Sequence, residues 1–261
     1  MDKNDLMRNP FNGFSLVLGT VVLFASFVYG LTILSSCINK SDLQTPPPSI
    51  QEVARSMVII KTIRAPSDLV KAIEPSFEPM GTQGTGVCIK TKGRNAYILT
   101  AAHVVASIEG SLEALFFNEP EVTILSEDIK DVESLEILNV DTERDLALIK
   151  ITANHNLFPM AIMEKRTVSF GQKVVYFGHS YNTGNHSRVA HAGASFLEGM
   201  TLIQEFDQGC YPGQSGGPIL EWSSMKIAGI ISRSFRNQEG HLIYCYGISA
   251  EEIRTFLADF L

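Results

Sequence analysis

The sequence predicts an all-β fold that ends in one helix and is preceded by an N-terminal membrane segment. Short runs rich in Val, Ile, Leu, Tyr and Phe recur along the chain, and clusters of Gly, Asn or Lys separate them. These runs do not alternate with helical segments, which favours a sandwich or barrels over repeated βαβ units. With 261 residues, 45% of them hydrophobic, the chain is long enough for one large β unit or two small domains.

The first element is the uncharged run "FSLVLGTVVLFASFVYGLTIL" at residues 14–34. As a helix it would measure about 30 Å, which matches the hydrocarbon core of a bilayer. It has no polar face, unlike the buried helix of a globular domain. We therefore expect residues 1–36 to be a signal peptide or a signal-anchor transmembrane segment.

Two ways of attaching the chain to a membrane stay open. The run can be kept as a signal anchor, with the preceding end in the cytoplasm. Alternatively, "LSSC" ends at Cys37 and resembles the lipobox of bacterial lipoproteins, whose cysteine is lipidated. Both mechanisms tether the remaining chain to the membrane on the extracytoplasmic side, which we expect to be the periplasmic side.

The next element is a linker, because "INKSDLQTPPPSIQ" combines three consecutive prolines with polar neighbours. We expect residues 37–52 to be this Pro-rich linker and residues 53–261 to be the folded domain. The strand-length runs that follow are "RSMVIIKTI", "GTGVCIKTK", "NAYILTAAHVV", "LEILNV", "LALIKI", "QKVVYFG", "TLIQEF", "GPILEW", "KIAGIISRSF" and "HLIYCYGIS".

The last element is the predicted helix, at residues 249–260, within "SAEEIRTFLADFL". Ser249 and Glu252 have the spacing of a capping box. Apolar residues then recur at helical spacing on one face. This face should pack on the β strands, which gives the helix a structural role.

Composition excludes several classes of function. The formal net charge is −7 and there is no basic block, which argues against a partner nucleic acid. No Cys or His pair has metal-ligand spacing, so we expect neither a metal site nor a cofactor. The chain has four cysteines, too few for a disulfide-built scaffold. Cys210 and Cys245 are either a disulfide or two small buried thiols.

Three segments place chemically useful side chains at the ends of apolar runs. His103 follows a strand in "ILTAAHVV", Asp145 precedes one in "ERDLALIKI", and Ser215 lies in the glycine-rich "GCYPGQSGGPIL". Serine is a weak nucleophile that needs a base to take its proton, and the base needs a partner that fixes its tautomer. A histidine, an aspartate and a serine supply these three roles.

The same segments resemble the chymotrypsin-like serine peptidases. "LTAAHVV", "DLALIKI" and "GQSGGPIL" are similar to the His, Asp and Ser segments of that family, and the closer likeness is to its bacterial HtrA-type, trypsin-like branch. A glycine-rich strand precedes the histidine there, as "GTQGTGVCIKTKGRNAYILTAAHVV" does here. The likeness covers roughly residues 78–257, and we expect no PDZ domain of the kind that follows the peptidase in many HtrA proteins.

The resemblance implies a fold and a set of roles. It implies two six-stranded antiparallel β-barrels, split near residue 160, with His103 and Asp145 from the first and Ser215 from the second. The backbone N–H groups of Gly213 and Ser215 would form the oxyanion hole. The function that follows is a membrane-tethered serine endopeptidase acting on polypeptides. The alternative is a non-catalytic binding module on a peptidase-like fold.

The resemblance also implies where the substrate binds. The walls of the primary pocket would come from Gly209, Cys210 and Tyr211 and from Ile231, Ser232, Arg233 and Ser234. Arg233 is expected to point to solvent, and the alternative is a position at the rim of the pocket. No acidic residue lies among them, and a buried cation without a partner is heavily penalised. We therefore expect small or medium uncharged side chains before the cut.

Two further features have a less direct meaning. Gln214 stands where the trypsin branch has an acid that pairs with a newly cut N-terminal amine, so activation by such a cut is not expected. His179, His186 and His191 lie in the polar stretch "GHSYNTGNHSRVAHAG". Their spacing matches no metal motif, and we expect a solvated surface loop there.

Overall fold

The computed structural model describes residues 47–106, 118, 121–180 and 184–260. The predicted membrane segment and Cys37 lie outside these residues. No helix within the described ranges is both long enough and apolar enough to cross a membrane.

The described chain is dominated by strands, which confirms the predicted all-β class. In chain order the elements are α1 (Ile50–Ser56), β1 (Met57–Arg64), α2 (Asp68–Ile73), β2 (Met80–Lys92), β3 (Asn95–Thr100), α3 (Ala102–Val105), β4 (Glu121–Leu125), β5 (Ile129–Asp141), β6 (Leu146–His155), β7 (Lys173–Ser180), β8 (Gly184–Glu198), β9 (Thr201–Phe206), β10 (Pro218–Glu221), β11 (Ile227–Arg236), β12 (Leu242–Ser249) and α4 (Ala250–Leu257).

The strands form two six-stranded antiparallel barrels, as the resemblance implied. The first has the order β4-β1-β2-β3-β6-β5. The second is closed by hydrogen bonds in the order β10-β11-β12-β9-β8-β7. The chain passes from the first to the second between β6, which ends at His155, and β7, which begins at Lys173.

Strand β6 begins with four consecutive apolar residues, at positions 146–149, that are buried on both faces of the strand. Ala147 and Ile149 belong to the buried cluster inside the first barrel. The alternate residues Leu146 and Leu148 belong to another cluster, which includes Ile230 of the second barrel. Because successive strand residues point to opposite faces, both faces of β6 are buried.

The predicted C-terminal helix is present as α4, and its apolar side chains pack into the cluster shared by the barrels. The predicted capping box forms only in part. Ser249 Oγ accepts the N–H of Glu252 at 3.4 Å. The Glu252 carboxylate does not return this bond, because it accepts instead from the N–H of Leu202 (3.1 Å) and from Nε of Arg144 (2.9 Å). The helix is thereby tied to β9 and to the turn between β5 and β6.

The histidine-rich stretch is not the surface loop that we expected. His179 is in β7, and His186 and His191 are in β8, which pairs with it. Burial lowers the pKa of His179. The polar sequence was misleading because an exposed hairpin keeps polar residues on its outer face.

The described chain contains both disulfide-bonded cysteines and a free cysteine. Cys210 and Cys245 form a disulfide bond, so the first of the two alternatives holds. Cys88 is a free thiol with no exposed surface. Burial raises the pKa of this thiol to about 12.

Candidate active site

His103 and Asp145 come together at one edge of the first barrel. The short helix α3 holds His103 immediately after β3, and the small residues Ala101 and Ala102 are buried in the turn that leads to it. Asp145 lies just before β6 with φ +55°, a left-handed conformation that aspartate adopts more readily than most residues. His103 Nδ1 lies 2.9 Å and 3.0 Å from the two carboxylate oxygens of Asp145. The N–H of His103 also donates to Oδ1 at 3.0 Å.

These contacts keep the Asp145 carboxylate ionised. Burial alone would raise the pKa of Asp145, but its hydrogen bonds with His103 and Ser232 and its electrostatic attraction to His103 outweigh burial and lower this pKa below its usual value. An ionised carboxylate facing Nδ1 requires the proton of a neutral imidazole to sit on that nitrogen. Nε2 is then left as the acceptor, which is the state a general base needs.

Ser215 lies in the second barrel, in a stretch (residues 211–217) that we call the nucleophile turn after the role that the sequence predicts for Ser215. Gly213 and Gly216 adopt φ +93° and +83°, which favours glycine at both positions. Gln214 is buried and stabilises the turn through hydrogen bonds within it. Its Oε1 accepts the N–H of Tyr211 at 2.7 Å, and its own N–H donates to Tyr211 O at 3.0 Å. The neutral amide therefore supports the turn through local bonds.

The nucleophile turn presents two free N–H groups. Within the described chain, the N–H groups of Gly213 and Ser215 have no hydrogen-bond acceptor. Two such N–H groups in one turn can bind a developing negative charge. Gly217 has no room for a side chain beneath the turn, because a Cβ there would lie 2.2 Å from the carbonyl oxygen of Phe177.

Ser215 and His103 are not joined directly. Among the described residues, the only hydrogen-bond partner of Ser215 Oγ is the carbonyl oxygen of Ser232, to which it donates at 3.4 Å. The hydroxyl of Ser232 donates in turn to Oδ2 of Asp145 at 2.6 Å. Ser232 therefore contacts both Ser215 and the Asp145 side chain.

The position of Ser232 was predicted only as part of a pocket wall. It falls at an irregularity in the pairing of β11 with β12, between Ile231 and Arg233. Only 8% of its surface is exposed. The sequence signal for this role is weak: a serine directly after the apolar run "KIAGII" is a buried polar group that needs partners.

A cleft of about 410 Å³ opens beside His103 and Asp145. Ser232 and Arg233 are the predicted substrate-binding residues that line it. Arg233 lies at its rim, half-exposed, where it pairs with Glu198 and stands over the ring of Tyr246 at 5.6 Å. The other lining residues in the described chain are Ala102, Ala106, Thr142, Glu143, Glu198, Thr201, Ile203 and Ile248.

The remaining predicted pocket residues do not line this cleft. The carbonyl oxygen of Gly209 accepts from Arg188 at 2.9 Å, and a Cβ on Gly209 would lie 2.4 Å from Cβ of Leu242. Cys210 is buried in its disulfide, and Tyr211 is 40% exposed and bonded to Arg188.

The two predicted residues left are both on β11. Ile231 is buried and pairs with the nucleophile turn through Gly216 N–H (2.7 Å) and Gly217 O (2.9 Å). Ser234 pairs with Cys245 of β12.

Comparison with known proteins identifies the family of the chain. A family model described as the trypsin-like peptidase domain matches residues 84–230, which span β2 to β11 and include His103, Asp145 and Ser215. The chain belongs to the trypsin-like peptidase family. Family and fold together support a serine peptidase.

One curated relative is the magnetosome formation protease MamE of Magnetospirillum gryphiswaldense. It is 25% identical over 202 residues, which is 74% of this chain. The chain spans only 24% of the length of that relative. The activity and partners of the whole relative therefore do not carry over directly.

Several solved structures share the fold of this trypsin-like peptidase. The Rv3671c protease of M. tuberculosis in its active form has a TM-score of 0.59 at 18% identity, over 81% of this chain and 83% of the other. The HtrA-type protease AlgW also has a TM-score of 0.59 at 18% identity, over 81% and 66%. A serine endoprotease of Yersinia pestis has a TM-score of 0.55 at 22% identity, over 82% and 66%. At these identities the likeness is one of fold.

Proposed function

We propose that this chain is a membrane-tethered serine endopeptidase that uses Ser215 as nucleophile, His103 as base and Asp145 as the partner of the base. The observation that carries the proposal is the arrangement around the turn. An imidazole oriented by a carboxylate lies in the same site as a serine whose turn offers two free N–H groups. Acyl-transfer chemistry needs these parts together.

The proposed reaction begins when Ser215 Oγ attacks the substrate carbonyl and its proton passes to His103 Nε2. The carbonyl oxygen, now negative, accepts from the N–H groups of Gly213 and Ser215. Collapse of this intermediate breaks the C–N bond, and His103 gives its proton to the leaving amine. Water then attacks the acyl-enzyme ester, its proton passes to His103 and on to Ser215 Oγ, and the acid product leaves.

The mechanism requires one local change from the arrangement described above. Ser215 Oγ must leave the carbonyl oxygen of Ser232 and donate to His103. Catalytic hydrogen bonds are often long or absent before substrate binds, so this requirement is compatible with the fold.

Contacts around the predicted primary pocket support a preference for uncharged residues before the cut. Gly209 is closed off by Leu242, and Cys210 is held in its disulfide. The charged side chain that reaches this segment is Arg188, which bonds the carbonyl oxygen of Gly209 and the hydroxyl of Tyr211. A cation there opposes a substrate Lys or Arg, so small or medium neutral side chains are favoured.

A fluorophosphonate probe tests the nucleophile without knowledge of the substrate. We expect the full-length chain to be labelled and Ser215→Ala to lose both labelling and peptide hydrolysis while staying folded. Ser134→Ala is a matched control, because Ser134 is an exposed serine of β5 in the first barrel. If wild type is folded but neither labelled nor active, the chain is instead a non-catalytic binding module.

Membrane attachment is the second part of the proposal. It rests on the uncharged run at residues 14–34, and a Cys210–Cys245 disulfide fits an oxidising, extracytoplasmic compartment. Native full-length protein should fractionate with membranes. Cys37→Ser separates the two mechanisms. It prevents attachment of the lipid if the chain is a lipoprotein, and it has no effect on membrane attachment if the chain has a signal anchor. Full recovery of the wild type in the soluble fraction would contradict both.

A further inference from the structure

We propose that Thr85 is a positioning residue that holds the oxyanion-binding N–H groups of the nucleophile turn in place. The inference rests on the proposed function, because it concerns how the same site is kept ready. Thr85 belongs to β2 in the first barrel, whereas the nucleophile turn belongs to the second. It has no exposed surface.

Thr85 reaches the nucleophile turn through two bonds. Its N–H donates to the carbonyl oxygen of Ser215 at 2.8 Å. Its hydroxyl donates to the carbonyl oxygen of Gly213 at 2.9 Å. One residue of the first barrel therefore fixes two carbonyl groups of the turn.

Two more bonds fix Thr85 itself. Its Oγ1 accepts the N–H of His179 at 2.8 Å, so the hydroxyl proton is directed to Gly213. Its carbonyl oxygen accepts from Oγ1 of Thr100 at 2.7 Å. Because Thr85 has no exposed surface, its polar groups depend on these protein partners for their hydrogen bonds.

The two bonds from Thr85 to the turn restrict the orientation of the peptide group that carries the N–H of Ser215. The peptide groups on either side of it contain the carbonyls of Gly213 and Ser215, and Thr85 holds both. The carbonyl oxygen of Gln214, in the middle peptide, accepts from Gly217 N–H at 2.9 Å. Gly213, at φ +93°, has little conformational preference of its own, so the orientation of its flanking peptides depends on such bonds.

The test is Thr85→Val, which keeps the shape of the side chain and removes the hydroxyl. It leaves the N–H of His179 and the carbonyl of Gly213 buried without partners, while the main-chain bond to Ser215 remains. We expect kcat to fall about tenfold or more and KM to change less than about twofold, because the lost support acts on the transition state. Binding of a peptide boronic acid, which mimics the tetrahedral state, should weaken by the same factor as kcat.

Two further variants separate positioning from packing. Thr85→Ser retains the hydroxyl and should restore most of kcat. Thr152→Val is the matched control, because it removes a threonine hydroxyl of the same barrel that donates to Asn95 Oδ1 at 2.9 Å. It should leave kcat and boronate affinity unchanged. Measurements use the full-length chain, with circular dichroism to verify folding.

Each outcome decides the matter. A folded Thr85→Val chain with wild-type kcat overturns the proposal, and so does a Thr85→Ser chain that loses as much activity as Thr85→Val. If Thr85→Val does not fold, Thr85→Ala removes the same hydroxyl without adding a methyl group and takes its place. Failure of wild type to react with the fluorophosphonate probe would refute the proposed function instead, so the two failures are distinguishable.

Discussion

The fit of Gly216 beneath the nucleophile turn gives a quantitative prediction. Gly216 and Gly240 both have φ +83°, but their surroundings differ. A Cβ on Gly216 would lie 2.1 Å from both Thr100 Oγ1 and the carbonyl oxygen of Thr85, whereas a Cβ on Gly240 would have nothing within 4 Å. Alanine at the two positions therefore separates the effect of backbone conformation from the effect of space.

The expected magnitudes follow from these contacts. Gly240→Ala should lower the free energy of unfolding by about 1–2 kcal/mol, the cost of the left-handed conformation for a residue with a Cβ. Gly216→Ala has the same conformational cost, and overpacking adds about 1–3 kcal/mol. Thr85 O is a main-chain atom and cannot swing away, so the upper part of this range is expected. The effect of alanine on the unfolded chain is common to both variants and cancels in the comparison.

The assay is urea unfolding of both full-length variants, followed by fluorescence of Trp222, the single tryptophan. Labelling by the fluorophosphonate probe is measured in parallel. Gly240→Ala should be labelled at the wild-type rate, and Gly216→Ala should lose labelling because the turn must move. Equal losses of stability in the two variants, or normal labelling of Gly216→Ala, would refute the steric argument.

Three further predictions concern other parts of the site and core. The Asp145 pKa is lowered in the folded chain, so its carboxylate stabilises the fold above the unfolded pKa and that contribution is lost as the pH falls through the folded pKa. Ser232→Ala removes one bond that lowers this pKa, and acid unfolding should then begin at a higher pH; an unchanged acid transition would contradict this. The double variant Cys210→Ala, Cys245→Ala removes a link across 35 residues and should lower the free energy of unfolding by about 3–4 kcal/mol, measured in urea, whereas a loss near zero would show that the disulfide does not restrain the chain. Cys88 should resist iodoacetamide at pH 8 until the chain is unfolded, because its thiol is buried and burial raises its pKa to about 12; rapid alkylation of the native chain, detected by mass spectrometry, would count against this burial.

The sequence was most informative where a candidate site residue lies at the end of an apolar run. His103, Asp145 and Ser215 each lie beside such a run, so local pattern and family resemblance found them together. The histidines of β7 and β8 were assigned to a loop, because an exposed hairpin and a polar loop have similar compositions. Local pattern also predicted a reciprocal cap at Glu252, whose carboxylate instead binds Arg144, a partner 108 residues away.

The contacts that local pattern could not predict are those that cross between the barrels. Thr85 and Gly213 are 128 residues apart, and Ser232 and Asp145 are 87 residues apart. The sequence around Thr85, "GTGV", and around Ser232, "SRSF", has no periodicity that predicts these partners. They become visible only when the register of each barrel and the packing between the barrels are known.

These two cross-barrel contacts act on different parts of the proposed reaction. Ser232, from the second barrel, binds the carboxylate that orients His103 in the first. Thr85, from the first barrel, binds the turn that carries Ser215 in the second. Each barrel thus supplies a hydrogen bond that supports a proposed catalytic group of the other barrel. A rigid shift between the barrels would therefore disturb both the orientation of His103 and the nucleophile turn. The apolar packing of β6 resists such a shift, because Leu146 and Leu148 share a close-packed buried cluster with residues of the second barrel.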